Sequence, residues 1–322
     1  MTKQTQTYPG IDLMKLIMAV LVIAIHTDPL VGCPQSGLLE LWGSLTKTAV
    51  PFFFLCTGFF LGDRQEAVRR YLQKTIKLYA LWSAIYAPLA IWFFISNHNS
   101  LPSAIVSYLC GFFLVGENYN SWMLWYLLSG IYALIFVLCL RKCRLRLPLV
   151  TLLGGICFLL GQLLMEFAAY PGSLPKILAL VQRLAARLPS FGRLFTGFLY
   201  IPLGMLLSGK SFRPGTGIAL FLLGILGDTL LAGLPGTLLR VAAAVGLFLI
   251  ASALPLKASR VYPALRKAST LLYFTHMYVW TAYYTLVYGQ KTFGPDSFLA
   301  TTAICLLLWL LQHWLQTRHR NK

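Results

Sequence analysis

Two ionisable residues stand near the start of the chain, within a segment that is otherwise apolar. Lys15 and His26 are eleven residues apart. This is close to three turns of an α-helix, so both side chains point to one face, about 16 Å apart along the axis. A neutral imidazole can take a proton from an attacking hydroxyl, and a cation can stabilise a developing oxyanion. The pattern therefore fits proton-transfer chemistry, although a histidine hydrogen-bonded at a membrane interface and a snorkelling lysine would give the same pattern.

A second candidate segment covers residues 47–60. Lys47 places a cation at its predicted outer end, and Thr57 supplies a hydroxyl group. Pro51 frees a backbone carbonyl and is predicted to kink the helix, whereas Gly58 permits the close approach of another helix. These residue types are ordinary in membrane helices, so the segment by itself does not indicate chemistry.

His276 is a third candidate, because an ionisable residue within a membrane span points to function. It lies one turn after Tyr273, and packing in the core of a helix bundle is the alternative. Arg240 is predicted to snorkel to the outer interface. A catalytic histidine also needs a partner that fixes its tautomer. Four carboxylates near the predicted outer boundary could serve His26 in this way: Asp28, Glu117, Glu166 and Asp228.

The composition indicates an all-α polytopic membrane protein. Of the 322 residues, 58% are hydrophobic and only 11% are charged, whereas soluble domains carry about 25% charged residues. No polar region is large enough for a separate soluble domain, so residues 1–322 are predicted to form one membrane domain. The net charge of +18 is spread over short clusters between apolar runs, which argues against nucleic-acid binding.

About ten transmembrane helices are expected, since a span needs about 20 apolar residues. Residues 101–115 are too short for a span and are predicted to form a re-entrant or interfacial helix. The expected spans are 11–27, 44–62, 76–96, 122–140, 147–166, 194–208, 216–232, 236–254, 270–288 and 297–315.

The distribution of Lys and Arg predicts the orientation. Basic clusters at 64–77, 141–146, 210–213, 257–267 and 318–322 alternate with weakly charged connections. By the positive-inside rule, both termini are cytoplasmic in the cell membrane. The connection 167–193 is an exception with four basic residues, but long loops translocate largely regardless of charge.

The motifs, taken in chain order, resemble those of the acyltransferase family 3 membrane proteins. The first is Asp12-Leu-Met-Lys15 followed by His26, where the family has D-L-L-R and a histidine. The others are Lys47-Thr-Ala-Val-Pro51-Phe-Phe-Phe-Leu-Cys-Thr57-Gly58-Phe, the basic segment 69–82, Leu124-Trp125-Tyr126-Leu127, the glycine-rich segment 197–205 and Leu272-Tyr273-Phe-Thr-His276. The elements HTDPL at residues 26–30 and VPFFF at residues 50–54 especially resemble the membrane domain of VanT-type serine racemases.

This resemblance implies transfer of an acyl group, with acetyl expected, from cytoplasmic acyl-CoA to a hydroxyl or amine of a cell-envelope glycan or small molecule. His26 is expected to be the general base, with Lys15 as the second catalytic residue. The expected substrate contacts are Lys47, Thr57, Trp125, Tyr273 and His276. Coenzyme A is expected to bind Arg69, Arg70, Lys74 and Lys77, although an ordinary positive-inside loop would also carry them. No metal is expected, because the cysteines lack ligand spacing.

Three departures from the family pattern leave other functions open. Lys15 and Lys47 replace arginines, and Thr57 replaces a serine. Lysine keeps the charge but lacks the planar fork that grips phosphate. A transporter of serine or another small polar solute, and a non-catalytic partner of an envelope enzyme, are therefore the alternatives. In the transporter, Lys15, His26 and His276 would line an aqueous path.

Overall fold

The computed structural model describes residues 7–172, 174–186 and 190–320, and these residues fold into α-helices joined by short connections. The orientation of the helices in the membrane was predicted partly from the charges of the chain ends. Residues 1–6 and 321–322 of these ends lie outside the described residues. The helices are α1 (Pro9–Thr27), α2 (Ser36–Thr46), α3 (Ala49–Leu61), α4 (Gln65–Ser96), α5 (Leu101–Cys110), α6 (Trp125–Lys142), α7 (Leu147–Ala168), α8 (Lys176–Ala186), α9 (Thr196–Leu207), α10 (Pro214–Leu230), α11 (Gly233–Ala253), α12 (Val261–Val287) and α13 (Pro295–Arg320).

Seven segments in the described part of the chain are long and apolar enough to cross a membrane, which makes this a multi-pass membrane protein by length and composition. They correspond to seven of the ten predicted spans, so the all-α prediction is confirmed and the count of ten is not. The span predicted at 194–208 belongs instead to a helix pair bent by 72°. The one at 216–232 is a helix of only 17 residues. The one at 270–288 lies in α12, which is long enough but rich in Thr, Tyr and His.

The helical segment that contains Pro51 is interrupted about one turn before it, because α2 ends at Thr46 and α3 begins at Ala49. A proline removes the donor for the carbonyl four residues earlier and crowds that carbonyl, which lies in this interruption, so the break falls where a proline acts. Pro51 is thus the third residue of α3, in a first turn where the backbone N–H groups have no intrahelical acceptor. Thr48 links the two helices by donating a hydrogen bond of 2.7 Å to the carbonyl of Leu45.

One of two connections agrees with the sequence prediction, and the other contains more helix than predicted. Residues 101–115 form α5 and a π-helix, Gly111–Val115, which agrees with a short helix and leaves its position in the membrane a prediction. The connection 167–193 was expected to be a loop, but it contains α8. Several apolar side chains of α8 are exposed, as in an amphipathic helix. Arg187, one of its four basic residues, lies outside the described residues.

The helices group into two compact units. The first unit comprises Met1–Phe53 and Ser211–Lys322. Within it, α12 packs against both α1 and α13, and α10 packs along α11. A fully buried apolar cluster joins the first three of these helices through Ala19, Ile23, Leu272 and Cys305.

The second unit, Phe54–Lys210, depends on glycine at its helix crossings. A Cβ atom at Gly58 of α3 would overlap the carbonyl oxygen of Ile201, and one at Gly204 of α9 would overlap that of Leu55. Each glycine therefore faces the backbone of the other helix, as predicted for Gly58. Gly154 of α7 meets the carbonyl of Phe198 in the same manner.

We predict that Gly58→Ala destabilises the protein, because the added methyl group must push α9 away from α3. Overpacking of this kind typically costs about 1–3 kcal/mol. Thermal unfolding of the protein in detergent measures the effect. Gly43→Ala is the matched control, since no heavy atom lies within 4 Å of the position of its Cβ. Equal melting temperatures for the two variants would contradict the proposed close contact.

Candidate functional site

Two histidines meet in the first unit. His26 lies in the last turn of α1 and His276 in the middle of α12. Their rings are stacked, with centroids 5.3 Å apart and planes inclined by 24°. The sequence predicted that both would line one polar site, and the structure places them side by side. Helix packing through Ala19, Ile23 and Leu272 creates this proximity.

The hydrogen bonding of His276 fixes its tautomer. Nδ1 lies 3.0 Å from the carbonyl oxygen of Leu272. Because a carbonyl only accepts, Nδ1 must carry the hydrogen, and in the neutral ring the lone pair is then on Nε2. The ring is fully buried, and its Nε2 atom has no hydrogen-bond partner among the residues that the structure describes. A buried polar atom of this kind marks a place where a ligand or a proton can be accepted.

An aromatic wall adjoins the histidine pair. The ring of Tyr273 lies 6.3 Å from that of His276 and 5.8 Å from that of Phe53, in edge-to-face geometry in both cases. Tyr273 is buried. The structure thus brings the two candidate residues of the late sequence motif together with His26, and it adds Phe53, which the sequence did not single out.

The other end of α1 carries a group of charges. Asp12 is nearly buried and lies 3.6 Å from the guanidinium of Arg266 on α12. Lys15, one turn later on α1, is half-buried. In the sequence Arg266 is one of several basic residues in a predicted cytoplasmic connection, and only the packing of α12 on α1 reveals it as the partner of Asp12. The same pair of helices therefore carries the two histidines at one level and two cations at another.

The connection between α12 and α13, residues 288–294, is fastened beside His26. The backbone N–H of Gly294 donates a 2.8 Å hydrogen bond to the carbonyl of Thr27. The indole N–H of Trp280 donates a 3.1 Å bond to the carbonyl of Thr292. The ammonium group of Lys291 lies 5.0 Å from the centre of the Trp280 ring, and burial lowers the pKa of Lys291. These contacts hold the connection against the ends of both histidine-bearing helices.

Arg240 has a partner that the sequence did not identify. It forms a bidentate ion pair with Asp228, with N–O distances of 2.9 and 2.8 Å, and the Asp228 side chain is only 2% exposed. A buried carboxylate needs such a partner, because leaving it uncompensated is costly. Asp228 is thereby occupied by Arg240. Lys47, the predicted outer cation, is exposed just after α2.

Thr57 and Trp125 lie in the second unit, each beside further polar groups. The Thr57 hydroxyl is 3.4 Å from that of Tyr126. The Trp125 ring lies 5.5 Å below the guanidinium of Arg193. Arg193 in turn donates to both carboxylate oxygens of Glu117, at 2.8 and 2.9 Å. Glu117 is therefore already held by a cation, as Asp228 is.

The predicted coenzyme A contacts also lie in the second unit, on α4. All four are exposed and fall within an arc of about 140° around the helix, given about 100° per residue: Arg69, Arg70, Lys74 and Lys77. Helix α4 has 32 residues, so it is about 48 Å long and exceeds the hydrocarbon thickness of about 30 Å. Its basic N-terminal part can thus extend beyond the hydrocarbon as one continuous cationic stripe.

The helices and the buried ionisable groups together define a multi-pass membrane protein with a polar site in one unit. A family model described as the acyltransferase domain matches residues 8–313. The chain belongs to this acyltransferase family, as its motifs predicted.

Three curated relatives are similar to part of the chain. Two proteins of Enterococcus faecalis, both named amino-acid racemase, are 31% and 33% identical over 147 and 142 residues. Each alignment covers 41% of this chain, and 20% and 19% of the respective relative. A serine/alanine racemase of Enterococcus gallinarum is 29% identical over 26% of this chain and 13% of its own length. The chain thus spans about a fifth or less of these relatives. No solved structure matches.

We predict that Trp280→Phe loosens the connection 288–294. The substitution keeps an aromatic ring but removes the N–H group that holds the carbonyl of Thr292. Hydrogen–deuterium exchange of peptides from this connection should become faster, consistent with the loss of about 1 kcal/mol from one hydrogen bond. Trp314→Phe, at a half-exposed position on α13, should leave it unchanged. Unaltered exchange in Trp280→Phe would mean that other contacts secure the connection.

Proposed function

We propose that the protein is an acyltransferase of the cell membrane that moves an acyl group, acetyl in the first instance, from cytoplasmic acyl-CoA to a hydroxyl or amine outside. The acceptor is a cell-envelope glycan or a small molecule. The observation that carries this proposal is the stacked pair of His26 and His276 in a chain that belongs to an acyltransferase family. Both termini are proposed to lie in the cytoplasm, since the basic clusters mark that side.

His26 is the proposed general base. Its ring is half-buried, so an acceptor can contact it, whereas the ring of His276 is 0% exposed. His26 removes the acceptor proton as the acceptor oxygen or nitrogen attacks the thioester carbonyl. A tetrahedral oxyanion forms. Lys15 lies about 16 Å from His26 along the axis of α1, too far to contact this oxyanion, so its expected catalytic role is not part of this step. When the C–S bond breaks, the imidazolium returns the proton to the departing thiolate.

His276 is proposed to position His26, on which its ring is stacked. With its Nδ1–H held by Leu272, the ring keeps one orientation, and contact with the substrate stays a prediction because the ring is buried. Tyr273 supplies an apolar surface beside it. The roles of Lys47, Thr57 and Trp125 as substrate contacts stay predictions.

The cationic stripe of α4 is proposed to bind the phosphates of coenzyme A. These groups are polyanionic, and an exposed row of arginine and lysine side chains matches them in charge. Lys15 replaces the arginine of the family pattern and offers a single point charge in its place. Arg266 supplies a guanidinium close by on α12, as the partner of Asp12.

We predict that His26→Ala lowers acyl transfer by about 10²–10⁴-fold, the usual contribution of a general base. The purified protein is reconstituted in vesicles with radiolabelled acetyl-CoA inside and envelope extract outside. Label in the extract and free coenzyme A thiol are both measured. His313→Ala is the control, because this histidine stacks on Trp309 of α13. If the wild type releases no thiol yet exchanges radiolabelled serine across the vesicle wall, the protein is a transporter.

We also predict that the triple variant Arg70→Gln, Lys74→Gln, Lys77→Gln raises the KM for acetyl-CoA at least tenfold and leaves kcat within about twofold, because it removes ground-state binding. The dependence of KM on salt should weaken at the same time. The control removes three exposed charges elsewhere, at Lys257, Arg260 and Lys267. If both triple variants change KM equally, net charge rather than the α4 stripe attracts the donor.

A further inference from the structure

Helix α8 carries a row of large apolar side chains that are exposed in the structure. Given about 100° per residue, these side chains span a continuous arc of about 160° around the helix. They are Ile177, Leu178, Leu180, Val181 and Leu184, and together they are called the apolar face of α8. An exposed patch of this kind marks a surface that interacts with a partner or a membrane.

The opposite side of α8 is held against the end of α7, within the second unit. The side-chain amide of Gln182 donates hydrogen bonds to the carbonyl oxygens of Phe167 and Tyr170, at 3.3 and 2.6 Å. These carbonyls lie at the C-terminal end of α7, which finishes at Ala168. Ala179, on the same side of α8 as Gln182, is half-buried. This contact directs the apolar face of α8 away from α7.

The length of α7 places this contact at a membrane boundary. Helix α7 is one of the segments that are long and apolar enough to cross a membrane. Its 22 residues make it about 33 Å long, close to the hydrocarbon thickness of about 30 Å. The C-terminal end of α7 therefore falls where hydrocarbon meets the lipid headgroups. Helix α8 is inclined by 72° to the next helical segment, Phe191–Leu207, so it runs across that segment rather than along it.

The charged residues of α8 border its apolar face along one side. Lys176 and Arg183 are both exposed, and they differ by only about 20° around the helix axis. The eleven residues of α8 include no acid, so this border is purely cationic. An apolar arc with a basic border is typical of helices that lie in the membrane interface, because lysine and arginine attract anionic headgroups.

We infer that α8 lies in the membrane interface and binds anionic phospholipid, with its apolar face among the acyl chains and Lys176 and Arg183 at the lipid phosphates. Lipid is the occupant, rather than another protein, because the apolar face lies at the end of a membrane-spanning helix and has a cationic border that matches anionic headgroups. The inference stands apart from acyl transfer, since contact with lipid is measured without donor or acceptor.

Photo-crosslinking of the full chain in nanodiscs of phosphatidylcholine and phosphatidylglycerol tests the inference. Leu180 is replaced by the photoreactive residue benzoylphenylalanine, and the adducts are identified by mass spectrometry. Position 180 should form lipid adducts that are enriched in phosphatidylglycerol relative to its share in the nanodisc. The same replacement of Leu152, exposed on α7, should form lipid adducts without this enrichment. At Ser211, exposed in the connection between α9 and α10, it should form none.

The double variant Lys176→Gln, Arg183→Gln should lower the enrichment at position 180 by about fivefold for each charge removed, while lipid adducts still form. The matched control is Lys210→Gln, Arg213→Gln, which removes two exposed cations elsewhere and should keep the enrichment. The inference is overturned if position 180 forms no lipid adduct, or if the two double variants behave alike. An adduct of position 180 with another protein in whole membranes would also overturn it.

Discussion

The close packing of α1 against α12 is the contact on which the histidine site depends. Ala19, Ile23 and Leu272 are fully buried where these helices meet. A small side chain at Ala19 lets the helices approach, and the approach leaves the rings of His26 and His276 stacked. The same contact brings Arg266 to Asp12. Any change in the register of one helix on the other would separate both pairs together.

Burial in hydrocarbon explains how the polar residues are arranged along this contact. Several threonine hydroxyl groups bond to a carbonyl one turn earlier in their own helix, as Thr27 does to Ile23 and Thr275 to Leu271. Buried carboxylates are paired with arginines, as Asp228 is with Arg240. Unpaired polar groups are costly in such surroundings. The Nε2 atom of His276 departs from this pattern, which is why it draws attention as a point where substrate could bind.

Much of the fold was open to prediction from local signals. Length and hydropathy predict the seven long apolar segments. The glycine at position 58 predicts a close helix crossing, and the contact of Gly58 with Ile201 confirms it. The form of the break before Pro51 could not be predicted, because a proline in the first turn and one in the interior look alike in sequence. Helix α8 was missed, because an amphipathic helix of 11 residues lacks the length of a span. The partner of Arg240 could not be predicted, because it lies on a preceding helix.

By itself the sequence determined the membrane class, the family and the single-helix face that joins Lys15 to His26, because hydropathy and helical periodicity are local properties. Only the tertiary structure decided which residues from other helices meet that face. It stacks the ring of His276 on that of His26, and it pairs Asp228 and Glu117 with arginines. It also forms a small cleft lined with hydroxyl groups next to the π-helix. Side-chain partners across helices depend on packing and register, and the spacing of residues along the chain determines neither.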